Sequence, residues 1–452
     1  VDFSTLALYN PWWNSQMDSE EIERSLLQGY TNSIFKRDYS ERFDLDGNGV
    51  FVIRGPRQIG KSTLIKTTIA SLLEKGHRRS ILYLPLDTVS SFSQLRQLLL
   101  QYLQFSQTER KRFLFIDEIS LVDEWQRAIK EVRDNTKLRN DVFVLTGSSA
   151  WDLKRSSERL PGRRGTTGGD LVLLPMTFRE YLEARNVPTP ARSDLKEIIR
   201  INQQDALELS IFLERLGVEW TMYERSGGIP SVIEGYLAGQ GLQERTETFW
   251  DIIIGDIERL GLSRSKLLHV LTYIARRVSS RISWNSAAGE LEVDTKTFQK
   301  YTEALGLNYL VITLKAMDIN TGFPAEKKQK KLYFSDRFLL EVLQEKLGIS
   351  FSHEAVLENL FVANCCYAFG KTLTDGLDSL TDVGYWYSKE KKEIDMLVDS
   401  IPIELKYQNT IQRSDLSSIL KHFGSGVIVS RNTLNVQGPV KIIPLPLFMA
   451  MI

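Results

Sequence analysis

Gly55-Pro56-Arg57-Gln58-Ile59-Gly60-Lys61-Ser62 reads G-x-x-x-x-G-K-[ST], the pattern of a phosphate-binding loop. The apolar run Val50-Phe51-Val52-Ile53 precedes it, and Thr63-Leu64-Ile65-Lys66-Thr67-Thr68-Ile69-Ala70 continues it as a helix. This strand–loop–helix context predicts a concave nest of backbone N–H groups, from Gly55 to Thr63, around a β-phosphate at a helix N-terminus. Lys61 is expected to reach the β- and γ-phosphates as a point charge, and the Ser62 hydroxyl to ligate Mg2+. ATP and Mg2+ are the expected cofactors.

Downstream, Arg112-Phe113-Leu114-Phe115-Ile116-Asp117-Glu118 is an apolar strand that ends in two acids. Asp117 at the strand tip is placed to hold Mg2+ through its water shell, and Glu118 to act as general base on the attacking water. Ser80–Leu84 and Asp141–Thr146 read as further buried strands. The second runs into Gly147-Ser148-Ser149, so Thr146 or Ser148 can touch the γ-phosphate or the lytic water, or simply form a turn of small residues. Then come the arginine- and glycine-rich Arg159-Leu160-Pro161-Gly162-Arg163-Arg164-Gly165 and a fifth strand at Leu171–Leu174.

Composition narrows the remaining options. The 452 residues suffice for about three domains, and 57 basic residues balance 57 acidic ones. No global basic field advertises nucleic acid, so any such surface must be local. No apolar run approaches the ~18 residues of a membrane span, and no signal pattern opens the sequence, which predicts a soluble cytoplasmic protein with no membrane partner. The four histidines are scattered, and the two cysteines, Cys365 and Cys366, are neighbours that suit a buried helix rather than a disulfide framework. Trp12 and Trp13 are expected to anchor the N-terminal segment to its domain.

From about Ser193 to Leu260 the apolar period is helical, with Leu209, Phe212, Leu213 and Leu216 on one face. The period breaks at Gly227-Gly228-Ile229-Pro230, a turn into a helix. Beyond Lys266, three helical segments precede two β-like runs, Tyr309–Leu314 and Lys331–Phe334, joined by a stretch with Lys327, Lys328 and Lys330 and with Lys331 at its end. Helix–helix–helix–hairpin is the order of a winged helix. The segment capped by Asp294 would be the major-groove reader and the lysines a phosphate-contacting wing, or else the element serves packing alone. From His353 the order is helix, three strands, helix, strand. Asp395 and Glu404 fall on consecutive strands of a hairpin, where they could hold Mg2+. Lys406, two residues on, shares a face with Glu404 and could polarise a water.

Taken together, the P-loop, Ile116-Asp117-Glu118, Leu145-Thr146-Gly147-Ser148-Ser149, Pro175-Met176-Thr177-Phe178-Arg179-Glu180-Tyr181-Leu182 and Gly227-Gly228-Ile229-Pro230 resemble a prokaryotic, largely archaeal, family of AAA-type ATPases. Its members carry a winged helix and a restriction-endonuclease-like C-terminal domain. The resemblance implies a multidomain α/β protein. It would have an AAA-type core at 1–190 built on a five-stranded parallel sheet, a helical lid at 191–260, a winged helix at 261–345 and a PD-(D/E)XK nuclease-like α/β domain at 346–452. Thr146 or Ser148 would then be the γ-phosphate sensor, and Arg163 or Arg164 an arginine finger, acting in cis or across a homo-oligomer. Glu358, Asp395 and Glu404 would be the nuclease metal ligands, with Lys406 beside them. The function implied is ATP-driven action on DNA. The alternative is a regulatory ATPase switch for protein–protein contacts, with the nuclease-like domain inactive.

Overall fold

Runs such as Gly49-Val50-Phe51-Val52-Ile53-Arg54, buried at every position, suit strands covered on both faces, which is the situation in a parallel sheet. The computed structural model describes residues 3–14, 21–22, 26–27, 44–89, 91–147, 162 and 165–452. They divide into two compact units, Val1–Leu173 and Leu174–Ile452.

In the first unit, β1 (Gly49–Arg54), β2 (Ile81–Pro85), β3 (Phe113–Asp117), β4 (Val142–Thr146) and β5 (Asp170–Val172) form one sheet in the order β2-β3-β4-β1-β5. Every pairing in it is parallel. The five parallel strands expected from the sequence are therefore present. Two apolar layers sandwich the sheet. Val50, Val52, Leu114 and Ile116 pack with Leu95, Leu99 and Trp125 on one face, while Phe51, Ile53, Phe115 and Val144 pack with Leu64, Ile65 and Ile69 on the other. Because strand side chains alternate, each strand feeds both layers.

β2 is an edge strand, and the N-terminal segment covers it. The Asn10 amide donates to the Tyr83 carbonyl at 2.8 Å, and its oxygen accepts from the Tyr83 N–H at 2.7 Å. Trp12 and Trp13 both donate their indole N–H to the Ile81 carbonyl. The side chain thus completes a ladder that would otherwise end in water. The two tryptophans are anchors, as the sequence suggested.

In the second unit, α1 (Phe178–Ala184) opens on a capping box between Thr177 and Glu180. Its Phe178 and Tyr181 stack on each other and pack with Trp220 and Tyr223 of α2 (Leu213–Ser226). Arg179 donates to the carbonyls of Pro190 and Ala450. The Thr177–Leu182 motif is thus an assembly of packing and capping residues.

The helices α3 (Arg264–Ala275), α4 (Trp284–Glu290) and α5 (Thr295–Leu307) pack with a three-stranded sheet in the order β6-β8-β7. Here β6 is Arg281–Ile282, β7 Val311–Lys315 and β8 Lys330–Phe334. Asp294 caps α5 by accepting from the Thr297 N–H at 2.8 Å. The chain then runs through α6 (Arg337–Leu347) into α7 (His353–Phe369), which carries the buried, reduced Cys365 and Cys366.

The last sheet, in the order β13-β12-β11-β10-β9, comprises β9 (Val383–Tyr387), β10 (Glu393–Val398), β11 (Ile401–Lys406), β12 (Gly426–Ser430) and β13 (Val440–Pro444). β10 and β11 are joined by Asp399-Ser400, both with positive φ, the conformation of a two-residue hairpin turn. β10 is bulged against β9 between Ile394 and Leu397, at the level of Asp395.

Two lysines expected at the hairpin tip are elsewhere. Lys330 and Lys331 are buried residues of β8. Lys330 donates to the carbonyls of Glu326 and Lys328, closing the β7–β8 connection on itself. Alternation along the strand turns Lys331 to the opposite face. Of the four lysines assigned to the wing tip, only Lys327 and Lys328 remain there.

Candidate functional site

β1 delivers the chain into the loop at Gly55, whose φ of 147° is accessible to glycine. A Cβ added there would stand 2.1 Å from the Leu173 carbonyl oxygen, so the loop needs glycine at that position. Gln58 (φ 58°) and Gly60 (φ 100°) complete the curl, and Gly60 leads directly into the helix Lys61–Glu74. That helix begins with backbone N–H groups that lack intrahelical partners. The Lys61 ammonium folds back on the loop, donating to the carbonyls of Gly55 at 2.9 Å and Pro56 at 2.7 Å. An incoming phosphate would offer the same cation a full negative charge in place of two dipoles.

β3 and β4, adjacent and parallel, bring Asp117 and Thr146 together. The Thr146 hydroxyl donates to Asp117 Oδ1 and accepts from the Glu118 N–H at 3.1 Å. Asp117 Oδ2 accepts from the Tyr83 hydroxyl at 3.1 Å. Burial, reinforced by the charge of Asp117, pushes the Tyr83 phenol well above its usual range, so it is a neutral donor. Glu118 has a left-handed backbone (φ 54°) and starts a short 3-10 turn, Ile119–Leu121. As arranged here, the Thr146 proton is committed to Asp117, so Thr146 acts by orienting the strand-end acid. Tyr83 went unread in the sequence. Its one signal, a hydroxyl on the strand beside the acidic one, requires knowing the strand order. Ser148, Arg163 and Arg164 lie outside the described residues.

The residues present fit Mg2+ and a nucleotide triphosphate. The glycine-dependent loop, the ammonium of Lys61, the hydroxyl of Ser62 and the carboxylate of Asp117 are the donor set such a group needs. Mg2+ would supply charge neutralisation on the phosphates. Arg57, Gln58, Ile59 and Thr63 belong to the same loop and helix start.

A sequence model described as an AAA domain matches residues 47–182. The match takes in the phosphate-loop pattern and all five strands of the parallel sheet. A second sequence model, described as a domain of unknown function (DUF8612), matches residues 219–351. An uncharacterized protein of Haemophilus influenzae is 26% identical over 406 residues, covering 85% of this chain and 90% of its own. Among solved structures, the Aeropyrum pernix ORC2 protein in ADPNP–ADP complexes aligns with 75% of this chain and 98% of its own, at a TM-score of 0.37 and 14% identity. The Aeropyrum pernix ORC1 protein in complex with DNA aligns with 73% and 92%, at 0.31 and 14%. Both likenesses are distant.

A second cluster of charge lies in the C-terminal sheet, around the acids expected to bind metal. The β10–β11 ladder pairs Met396 to Val398 with Ile401 to Ile403. Past it, the two carboxylates take over the hydrogen bonding. The Asp395 N–H donates to Glu404 Oε2 at 3.1 Å, and the Leu405 N–H donates to Asp395 Oδ2 at 2.9 Å. Lys406 pairs with Glu404 Oε1 at 2.6 Å. Glu358, on α7, accepts from the Tyr333 hydroxyl at 2.6 Å.

Lys331 stands among these acids. Its ammonium lies 2.5 Å from Glu393, 3.2 Å from Glu358 and 3.8 Å from Asp395, and its side chain is 2% exposed. Burial alone would depress the Lys331 pKa, but the charges of Glu358, Asp395 and Glu393 outweigh it and hold the ammonium above its usual range. Burial likewise raises the carboxyls of Asp395 and Glu404. For Asp395 the neighbouring acids add to the effect, while for Glu404 the Lys406 charge opposes it.

The expected Mg2+ does not fit this arrangement. The carboxylate oxygens face strand N–H groups and two ammonium ions. Among the described residues no group of three or more His, Cys, Asp or Glu side chains converges as a metal cage. Glu358, Asp395 and Glu404, expected as metal ligands, here pair with cations supplied by the protein. Lys331 and Glu393 were not anticipated. Glu393 shares a face with Asp395 two residues on, a signal legible in retrospect, whereas Lys331 arrives from a distant strand with no local signature.

Proposed function

We propose that this protein binds and hydrolyses Mg–ATP at the AAA-type site and acts on DNA through its second unit. The observation that carries the ATPase reading is the junction of β3 and β4, where one threonine hydroxyl ties Asp117 to the backbone of Glu118. That bond holds the metal-side acid and the adjacent base in fixed register at the end of two buried strands. In this reading Lys61 binds the phosphates, Ser62 and Asp117 hold Mg2+, and Glu118 takes the proton of the attacking water. Steady-state phosphate release tests it. Turnover should require Mg2+ and vanish into background in Lys61→Ala, whereas equal turnover in that variant would remove the site from the chemistry.

The DNA reading rests on α5. Its outward residues Lys296, Gln299, Lys300 and Glu303 are exposed, while Phe298, Tyr301 and Leu305 are buried beneath. The element order and the β6-β8-β7 sheet support a winged helix with α5 as its reading helix, and Lys327 and Lys328 remain on the β7–β8 connection. If Lys296 and Lys300 neutralise phosphates, replacing each with Ala should lower the slope of log K against log salt by about 1. An unchanged slope, measured by filter retention from low to moderate salt, would take DNA away from this face.

The helix, three strands, helix and strand order at the C-terminus supports a nuclease-derived fold. The ammonium of Lys331 among its acids favours a second reading, in which that domain is catalytically silent and the ATPase switches contacts with another protein.

A further inference from the structure

We propose that Lys331 takes the place of a divalent cation in the C-terminal carboxylate cluster, so that the site excludes Mg2+ and the ion pairs fasten β8 to the C-terminal sheet. The inference stands apart from the ATPase reading, because it concerns only the second unit.

Three observations carry it. First, the ammonium is reached from different elements at once: Glu358 comes from α7, while Glu393 and Asp395 come from β10. A cation held by acids from separate elements, at a bulge in the sheet, occupies the position a bound ion would need. Second, charges nearly balance without a metal. The acids Glu358, Glu393, Asp395 and Glu404 face Lys331, Lys406 and Arg281, the last 3.3 Å from Glu393. A divalent ion brought beside a buried ammonium would meet like-charge repulsion in a low-dielectric setting. Third, the contact is continuous with other bonds between the same parts. Tyr333, two residues along β8, also donates to Glu358, and the Asn359 amide pairs with both backbone groups of Phe334. The Tyr385 hydroxyl donates to the Gln329 carbonyl at 2.6 Å. The β7–β8 hairpin is thus seated on α7 and on strands β9 and β10 of the C-terminal sheet, with Lys331 as the charged pin.

Mn2+ binding to the nucleotide-free full chain, followed by electron paramagnetic resonance, tests the proposal. The wild-type chain should show no Mn2+ site that Glu404→Gln removes. Lys331→Ala should gain one site per chain, at least about tenfold tighter than anything in the wild type, and Lys331→Ala/Glu404→Gln should lose it again. A wild-type site that depends on Glu404 overturns the proposal, and so does a folded Lys331→Ala chain that gains none. Should Lys331→Ala fail to fold by circular dichroism, the wild-type and Glu404→Gln titrations still decide. Their agreement supports metal exclusion, and a difference between them contradicts it.

Discussion

Glu118→Gln should slow ATP turnover by roughly 10²–10⁴, the usual contribution of a positioned general base, while ATP affinity stays within a few-fold of wild type. The amide keeps the shape of the side chain, and the substitution leaves the Glu118 N–H bond to Thr146 in place. The left-handed backbone at this position is equally open to both residues. The expected signature is therefore a chain that loads nucleotide and does not discharge it. Rapid-quench measurement of the chemical step separates this from slow product release. Equal turnover in the variant would move the base elsewhere.

Asp336→Ala should destabilise the second unit by about 2–4 kcal/mol at pH 5. Asp336 Oδ1 accepts from the Phe338 N–H at 2.8 Å, capping α6, and Oδ2 accepts from the Gly228 N–H at 2.7 Å. Removing it orphans two buried donors. It also opens space beside Gly227, where a Cβ would now stand 2.3 Å from the carboxylate. Gly228 is pressed equally hard against the Met176 carbonyl, so the glycine pair exists to let this turn approach its neighbours.

The effect should depend on pH in a defined direction. Burial raises the Asp336 carboxyl to about 6 from an ordinary 3.8, against the pull of the Gly228 and Phe338 N–H groups. The folded chain therefore holds this proton more tightly than the unfolded one. The stability Asp336 contributes is full below the ordinary value and falls as pH rises through about 6. The cost of Asp336→Ala should accordingly be smaller at pH 8 than at pH 5. Denaturant unfolding at the two pH values checks the sign, and a cost that grows with pH contradicts it.

Local and contiguous features were legible in the sequence. The phosphate loop, its flanking strand and helix, and the acids at the end of β3 each lie within a dozen residues, and the chemistry dictates their spacing. The buried strands were legible as apolar runs, while their parallel five-stranded arrangement came from the family resemblance. The Asp399-Ser400 turn was placed by the two strands around it, although neither residue announces a left-handed backbone. Long-range placements were not legible. Tyr83 meets Asp117 only because β2 and β3 are neighbours, and Lys331 meets Glu358 and Asp395 only because a hairpin folds onto a later sheet. A lysine run reads as a solvated tip because composition cannot say which alternate residues turn inward. The acids of β10 and β11 read from the sequence as metal ligands, and only the strand register shows that each also completes the other strand's backbone hydrogen bonds.

The central claim is that the loop at Gly55–Ser62 and the ammonium of Lys61 grip a magnesium-bound triphosphate. Calorimetric titration of Mg–ATP into the wild-type chain and into Lys61→Ala tests it most directly. The account predicts one nucleotide per wild-type chain and at least about tenfold weaker binding in the variant. Absence of binding in the wild type, or equal affinity in the two chains, would contradict it.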